Sequence, residues 1–334
     1  MEQAQRATVY DVAARAGVSI ATVSRVLNTP EKVIPATRNR VLAAIDELGF
    51  VPKAEAVARS RRNHGRIGVL APFLTYPSFV QRLRGVTTAL SDSPYELIIY
   101  YVDSLARFEA HIASLTVTRR LDGLILMGLR LEDDAAQRLR NAGIETVPIE
   151  YAYEGFSSVE IDDRAGGRMA AQYLIARGHR RLGFVGDADL PDYTIFNSER
   201  RLQGYRKAIA EAGLALPDEY IGLAAHGLET ARQQAHRLLS LPEPPTAVFC
   251  HSDTQAIGVL RAAHERGVKV PDDLAIVGFD DVEVAEYVGL TTIRQPLEES
   301  GRVAVELLLA RLGDRSRPAQ RVQLPLTLIR RDTA

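Results

Sequence analysis

Residues 8–28, TVYDVAARAGVSIATVSRVLN, limit the possible folds more than any other stretch, because they predict two short helices joined by a tight turn. Gly17 stands where the chain must turn, and a left-handed backbone is accessible to glycine. Ser19 is placed to accept a backbone N–H at the start of the second helix. Apolar and small residues recur at spacings of three to five and supply a shared buried face: Val12, Ala13, Ala16, Val18, Val23 and Val26. The pattern predicts a helix-turn-helix, with an ordinary helical hairpin as the alternative.

The exposed face of the second helix has the size and chemistry to enter the major groove of DNA. In such a helix the N-terminal side chains meet base edges, while hydroxyls and arginines approach phosphates. The side chains on this face are Ile20, Ala21, Thr22, Ser24 and Arg25.

A third helix is predicted from Pro35 to Leu48, with proline in its first turn and Gly49 at its end. Its packing stripe consists of Val41, Leu42, Ile45 and Leu48. The following residues 51–66 are rich in alanine and arginine and have few apolar anchors, so we expect them to be largely unfolded in isolation.

The charge distribution supports a nucleic-acid partner, although the net charge of −1 does not. Residues 1–66 contain 11 Lys/Arg and 6 Asp/Glu, whereas the remainder contains 30 and 36. A basic front attracts phosphates, and an acidic body limits non-specific binding elsewhere.

Cysteine and histidine usage argues against disulfides and metal sites. Cys250 is the only cysteine, which favours a reducing compartment, and the seven histidines lack ligand spacing. The N-terminus has no apolar signal region, and no run approaches the roughly 18 apolar residues of a membrane span. We therefore expect a cytoplasmic protein with no membrane contact, no metal and no cofactor.

From Ile67 onward, strand and helix patterns alternate, which predicts doubly wound parallel sheets. The strand patterns are enough for two such sheets, and a length of 334 residues calls for two or three domains. They cover residues 67–72, 96–102, 123–127, 146–150, 182–186, 247–250 and 274–279. We expect the chain to cross between the two halves near Asp162, near Leu290 and again near Arg321.

The same segments resemble the LacI family of bacterial transcription regulators, of lactose-repressor and galactose-repressor type. DVAARAGVSIATVSRVLN and VIPATRNRVLAAIDELGFVP are similar to the DNA-binding headpiece of that family. ARGHRRLGFVG, ERRLQGYRKAIAEAG, VPDDLAIVGFDD and LTTIRQP are similar to its effector-binding core. The likeness runs from about Thr8 to about Arg331, and the motifs occur in the family's order.

The resemblance implies an α/β core of two doubly wound parallel-sheet subdomains, similar to periplasmic binding proteins, preceded by an all-α helix-turn-helix domain. The headpiece then covers residues 1–50, a hinge helix or linker 51–66, and the effector-binding and dimerisation domain 67–334. Within that domain we expect an N-subdomain of about 67–161 plus 296–320, and a C-subdomain of about 162–292 plus the C-terminal strand.

The resemblance also implies the function: a ligand-responsive, sequence-specific repressor of carbohydrate-utilisation genes. Its partners are then near-palindromic operator DNA, a small effector such as a sugar, and a second copy of the chain. A purine or nucleoside effector and a transport-type sugar-binding protein are the alternatives. The basic front and the absence of a signal region argue against transport.

In family terms, the base-reading positions fall on Ile20, Ala21 and Arg25. Ile20 and Ala21 can only contact thymine methyls or exclude bases sterically, and simple packing is the alternative for Ile20. Phosphate or positioning contacts are expected from Thr8, Tyr10, Ser19, Thr22, Ser24, Asn28, Lys32 and Thr37.

Two positions depart from the family pattern. Ile34 replaces the serine that usually caps the third helix, and the hinge lacks the leucine that usually enters the minor groove. Arg59 or Arg61, depending on the alignment, takes the leucine position. Because an arginine favours a narrow A·T-rich groove through its charge, we expect weaker kinking and stronger salt dependence than in the family. A bend-angle measurement tests this, and a sharp central kink would refute it.

The effector site is expected in the crevice outside the carboxyl ends of the strands. By resemblance its side chains are Phe73, Tyr76, Ser78, Phe79, Glu150, Arg201, His226, Asp253, Asp280 and Gln295. Carboxylates, an arginine and an amide suit vicinal sugar hydroxyls, while aromatic rings cover C–H faces. For Asp253, capping of the following helix is the alternative.

Enzyme chemistry is not expected. The run from Cys250 to Asp253 suggests a nucleophile or a metal cluster, but adjacent residues on a strand point to opposite faces. P-loop, dinucleotide-binding, HExxH and GxSxG motifs are all absent from the sequence.

Overall fold

A computed structural model describes residues 7–28, 33–48, 50, 65–188 and 191–334, and it divides the chain into two compact units, 1–64 and 65–334. Among the described residues, no helix is long and apolar enough to cross a membrane.

The described part of the first unit is a cluster of three helices: α1 (Val9–Ala16), α2 (Ile20–Asn28) and α3 (Pro35–Leu48). Gly17 makes the turn after α1 with φ 62°, a left-handed conformation that its missing side chain permits. The core contains five of the six predicted apolar residues, Val12, Ala13, Ala16, Val23 and Val26, with Val41 and Ala44 added from α3. Val18 packs against it while partly exposed.

The predicted packing stripe on α3 is wrong at one position, Leu42. Leu42 is 44% exposed, and Ala44 is buried in its place. The buried pair is three residues apart, Val41 and Ala44, which suits a narrow contact between short helices.

The second unit contains two six-stranded sheets, which confirms the predicted fold class. The first subdomain is built from β1 (Arg66–Ala71), α4 (Pro77–Leu90), β2 (Glu96–Tyr101), α5 (Leu105–Thr118), β3 (Gly123–Met127), α6 (Asp133–Ala142), β4 (Glu145–Ile149), β5 (Ser158–Glu160), α12 (Leu297–Gly313) and β11 (Arg321–Gln323). Its strand order is β11-β5-β4-β3-β1-β2, all parallel.

The second subdomain repeats this plan. It is built from α7 (Asp163–Ala176), β6 (Leu182–Asp187), α8 (Asn197–Glu211), β7 (Ile221–Ala224), α9 (Leu228–Leu238), β8 (Ala247–Cys250), α10 (Asp253–Glu265), β9 (Ala275–Asp280), α11 (Glu283–Tyr287), β10 (Thr291–Arg294) and β12 (Thr327–Ile329). The order is β12-β10-β9-β8-β6-β7, and only β12 is antiparallel to its neighbour.

Both sheets are buried on both faces, because helices cover each side. Separate apolar clusters lie on the two faces of the first sheet and on the two faces of the second. The strand order changes direction beside β1 in one sheet and beside β6 in the other. At such a point the loops leave to opposite faces and open a crevice.

The chain passes between the subdomains after β5, after β10 and after β11. The last two crossings come a few residues later than expected near Leu290 and Arg321. Residues 291–294 pair with β9, and residues 321–323 pair with β5, so each short strand stays in the sheet that precedes the crossing.

Candidate functional site

The face of α2 that is expected to read DNA is exposed in the first unit. Ile20 is 42% exposed, and Ala21 and Arg25 are also exposed, whereas Thr22 and Ser24 are half-buried. The packing alternative for Ile20 therefore has little support, since a residue that packs would be buried. Tyr10 is 68% exposed and Thr37 is half-buried.

Two of the predicted DNA-contact residues also cap helices. Thr8 forms a capping box with Asp11: its hydroxyl accepts from the Asp11 N–H at 3.4 Å, and its own N–H donates to that carboxylate at 2.7 Å. The Ser19 hydroxyl accepts from the Thr22 N–H at 3.2 Å. These bonds fix the helix starts, as predicted for Ser19. Lys32, Arg59, Arg61 and the Asn28 side chain lie outside the described residues.

The second unit holds a cavity of about 80 Å³ at the carboxyl ends of the strands of both sheets. Nine of the ten predicted effector residues line it: Phe73, Tyr76, Ser78, Phe79, Glu150, Arg201, His226, Asp280 and Gln295.

The wall formed by the first subdomain is aromatic. Phe73 and Tyr76 stack with ring centroids 4.9 Å apart, and Phe79 meets Phe73 edge-on at 5.7 Å. Tyr76 also stacks on His226 of the second subdomain, with centroids 4.4 Å apart. A column of three rings, Phe73, Tyr76 and His226, therefore spans the cavity.

Behind this wall lies a buried ion pair. Arg82 is 1% exposed; its Nη2 donates to Glu150 at 2.7 Å, and its Nε donates to Ser300 at 3.1 Å. Because Arg82 holds one carboxylate oxygen of Glu150, it fixes how that cavity carboxylate is presented.

The wall formed by the second subdomain is charged and centred on Arg201. The guanidinium is 2% exposed, donates to Asp163 and to the His251 carbonyl at 2.8 and 2.7 Å, and lies 3.8 Å from Asp280. Its Cζ is 3.5 Å from the centre of the Phe279 ring. Burial raises the pKa of both Asp163 and Asp280, and the arginine partly offsets the effect. Gln295 donates to Asp280 from the crossover.

Sequence reasoning missed a third group, built around Asp187 at the end of β6. His226 Nδ1 and His251 Nε2 lie 3.0 and 3.2 Å from its two carboxylate oxygens, and Gln255 donates to it at 2.8 Å. Burial alone would raise the pKa of Asp187, but the His251 charge and the bonds from both histidines outweigh burial and lower the pKa. The sequence did contain a signal for Asp187: this carboxylate directly follows the apolar run 182–186, and polar residues at the end of a strand are candidates for the site.

Asp253 was expected among the effector-binding residues, but it does not line the cavity. It is fully buried at the start of α10, where its carboxylate accepts from the Val282 N–H at 2.8 Å and from the Thr292 hydroxyl at 2.6 Å. Ser252 caps α10 and lines the cavity instead. The contacts of Asp253 connect the start of α10 to Val282, just after β9, and to Thr292 in β10.

Sequence reasoning also missed the segment between β6 and α8 together with the first residues of α8. Ile195, Asn197 and Ser198 line the cavity, and the buried Asn197 Oδ1 has no hydrogen-bond partner among the described residues. The same segment bridges the subdomains: Arg130 N–H donates to the Tyr193 carbonyl at 2.9 Å, and Ile195 N–H to the Gly128 carbonyl at 3.2 Å.

Backbone strain is concentrated at this edge of the sheets. Glu150, Asp280 and Asp281 have φ values of 76°, 110° and 58°, in the region that disfavours residues with a side chain. Each follows or ends a strand. Such strain persists only where the surroundings enforce it, and it clusters at ligand-binding sites.

The arrangement can bind a small polar molecule in a closed space. Two fixed carboxylates, an amide acceptor and a guanidinium offer hydrogen bonds, while the ring column offers an apolar face.

Comparison with known proteins also separates the helical first unit from the second unit. The family model "Bacterial regulatory proteins, lacI family" matches residues 8–53, and a periplasmic binding protein-like domain matches residues 171–334. The HTH-type transcriptional repressor CytR of Escherichia coli (strain K12) is 37% identical over 313 residues, covering 92% of this chain and 90% of that protein.

Solved structures align over nearly the whole chain. The complex of the transcriptional regulator CelR with cellobiose has a TM-score of 0.72 at 32% identity and covers 98% of this chain and all of that one. The lac repressor dimer bound to operator and the anti-inducer ONPF has a TM-score of 0.80 at 26% identity and covers 98% and 99%. The chain therefore belongs to the lacI family of bacterial regulatory proteins, and it is a DNA-binding transcriptional regulator and not an enzyme.

Proposed function

We propose that this regulator represses carbohydrate-utilisation genes and that a small sugar in the cavity of the second unit changes its affinity for operator DNA. The observation that carries the proposal is the cavity wall itself: Glu150, Arg201 and Asp280 are each held in place by buried partners behind them. Preorganised groups of this kind bind a ligand without the cost of ordering flexible side chains.

Sugar hydroxyls match the hydrogen-bonding groups in the cavity. The Glu150 and Asp280 carboxylates accept from hydroxyls, and the buried Asn197 oxygen lacks a donor that a hydroxyl would supply. The ring column can cover the C–H face of a pyranose or furanose. The similarity to a regulator solved with cellobiose is consistent with this class.

A nucleoside is the second candidate, and the stack of Tyr76 on His226 favours it. Two nearly parallel rings at 4.4 Å, tilted by 24°, form a contact that a planar base could extend or replace. The ribose of a nucleoside would still present vicinal hydroxyls to the charged wall.

For the DNA-bound state we propose a homodimer in the cytoplasm, each copy reading one half of a near-palindromic operator with Ile20, Ala21 and Arg25 of α2. Thr8, Tyr10, Ser19, Thr22, Ser24, Asn28, Lys32 and Thr37 would position the headpiece on phosphates. The hinge expected over residues 51–66 would end before Arg66, which begins β1, and would place Arg59 or Arg61 at the minor groove.

The experiment is a thermal-shift panel of pentoses, hexoses, disaccharides and nucleosides on the full chain. A specific effector present at 100 times its Kd stabilises the protein by about 2.7 kcal/mol, which raises Tm by several degrees. We expect one sugar class to do so. A shift with nucleosides alone would select the second candidate, and no shift with any compound would overturn the assignment of a small-molecule site.

A further inference from the structure

The cavity contains a constellation that the binding of sugar hydroxyls does not need. Asp187 ends β6, His226 follows β7 and His251 follows β8, so three loops of neighbouring strands bring one carboxylate and two imidazoles together. We propose that these three side chains bind one divalent transition-metal ion, of the zinc type, in the wall of the cavity. This inference does not depend on which effector the cavity takes.

The distances suit such an ion. One ligand atom from each of the three residues can be chosen so that all lie within 4.8 Å of one another. The Asp187 oxygens lie 3.0 Å from His226 Nδ1 and 3.2 Å from His251 Nε2. Zinc–nitrogen and zinc–oxygen bonds of about 2.0–2.2 Å in a tetrahedron place ligand atoms about 3.3 Å apart. The two imidazole–carboxylate distances already match this spacing, and the two imidazole nitrogens, which lie within 4.8 Å of each other, would approach by at most about 1.5 Å to surround an ion.

The surroundings hold the ligands in place, as outer groups do in metal sites. Gln255 donates to Asp187 Oδ1 at 2.8 Å, Ser198 accepts from the Asp187 N–H at 2.9 Å, and the Tyr76 ring stacks on His226. The second amide atom of Gln255, Oε1, is buried without a partner among the described residues. That oxygen could accept a hydrogen bond from a water bound to the ion.

The local charge also favours a dication. Four carboxylates lie in or directly behind the cavity, from Glu150, Asp163, Asp187 and Asp280, and two guanidinium groups, from Arg82 and Arg201, face them. With all six ionised and both histidines neutral, the excess is two negative charges, and burial reduces it by raising the pKa of Asp163 and Asp280. Burying unpaired charge is costly, and an ion of charge +2 removes the excess.

The position of the proton on each imidazole differs between the ion-free and the ion-bound cluster. Without an ion, the two histidines can donate N–H bonds to Asp187, and the 3.3 Å approach of Arg201 Nη1 to His251 Nδ1 supports that protonation state. When an ion binds, each neutral imidazole carries its proton on the nitrogen that does not ligate, Nε2 of His226 and Nδ1 of His251, so both rings stay neutral and no net proton is released. Arg201 can then keep its shorter bond to the His251 carbonyl, at 2.7 Å.

The ion would present its open coordination position to the cavity, because all three ligands line that space. Zinc with three protein ligands keeps a further position for water or for a ligand atom. The position would therefore hold a water, or an oxygen of the molecule that enters the cavity.

The test uses the full chain, stripped of metal by a chelator and titrated with Co²⁺, whose visible d–d absorption reports tetrahedral coordination. We expect one ion per chain by elemental analysis, intense visible bands, and a weakening of at least about 100-fold in His226→Ala and in His251→Ala. His236→Ala is the matched control, because His236 pairs with Glu265 at the surface, outside the three-ligand group. It should bind like the wild type.

A second readout separates loss of the site from loss of the fold. Zn²⁺ should raise the Tm of the wild type and of His236→Ala but not of His226→Ala, while all three melt alike in the presence of the chelator. Weak octahedral spectra, or equal Co²⁺ binding in His226→Ala, would overturn the proposal. Neither readout involves DNA or effector, so a negative result here leaves the proposed function standing, and an absent operator response leaves the metal site standing.

Discussion

Arg201 has a structural role as well as a place in the cavity wall. A guanidinium buried to this degree leaves Asp163 and Asp280 uncompensated when it is removed. The pair of arginines, Arg82 and Arg201, occupies equivalent places in the two subdomains: each holds a carboxylate and lies against a phenylalanine ring. Arg82 and Arg201 therefore orient the carboxylates of the cavity and also stabilise the wall on their own side.

Replacing Arg201 with alanine is expected to lower the free energy of unfolding by about 3–5 kcal/mol, because two buried carboxylates lose their partner. The response to effector should disappear as well. Urea denaturation followed by circular dichroism measures the first effect. Arg168→Ala, which removes an exposed ion pair with Glu211, is the control and should change stability by less than about 1 kcal/mol. A similar small change in Arg201→Ala would contradict the structural role.

Asn197 offers a milder test of effector contact. Its buried Oδ1 has no partner among the described residues and its side chain makes no helix cap, so Asn197→Ala should leave stability unchanged. We expect effector affinity to fall by about 5- to 10-fold, since one hydrogen bond contributes about 1 kcal/mol. Isothermal titration with the compound found by thermal shift measures this. Asn141→Ala, on the exposed surface of α6, should bind normally; equal affinities in both variants would remove Asn197 from the site.

At the scale of helices, the cavity depends on how closely α7 and α8 approach. Gly167 of α7 lies against the backbone of Arg201 in α8: an added Cβ would be 1.9 Å from the Arg201 carbonyl oxygen. Only a residue without a side chain permits this contact. The close approach helps to bring Arg201 within reach of Asp163.

Gly167→Ala should force α7 and α8 apart and lower stability by about 1–3 kcal/mol, the usual range for overpacking. Effector affinity should also fall, because Arg201 moves with its helix. Gly313→Ala is the matched control, since a Cβ at the end of α12 meets no described atom within 4 Å. If Gly167→Ala were as stable as Gly313→Ala, the helix contact would not be a constraint.

Much of this architecture could be predicted from the sequence, because long apolar runs identify buried strands and the headpiece motif is local. The short strands β5, β7, β10 and β11 were missed, since their three or four residues do not form a distinct apolar run such as the one that identifies β8. Nine cavity residues were placed through family resemblance. Asp187 and Asn197 were not, because their roles come from loops that meet only in the folded chain. The histidine cluster was missed for the same reason: its members are 25 or more residues apart.

At the scale of the second unit, the subdomains are linked on two sides of the cavity. Three crossovers connect them on one side, and the segment around Tyr193 connects them on the other. Tyr193 is buried with Phe108 in the apolar cluster of the first subdomain, although its segment follows β6 of the second. We therefore expect opening of the cavity to move this side chain out of its cluster.

Tyr193→Ala should favour an open arrangement of the subdomains. An effector that binds the closed state then loses affinity in proportion to the closed fraction, so a tenfold loss of closed molecules raises the apparent Kd about tenfold. Small-angle scattering of the protein without effector should give a larger radius of gyration than the wild type. Tyr151→Ala, a half-buried tyrosine outside the cavity lining, is the control. Unchanged scattering and affinity would show that this segment does not hold the cavity closed.

The central claim is that occupancy of the cavity sets the affinity of the first unit for DNA. The direct measurement is operator binding by fluorescence anisotropy, on a site selected from random DNA by the full chain, with and without the compound that stabilises the protein. We predict a near-palindromic site and a change in Kd of about 5- to 150-fold that is lost in Arg201→Ala. Enrichment of no sequence, or equal Kd values with the cavity occupied and empty, would contradict the claim.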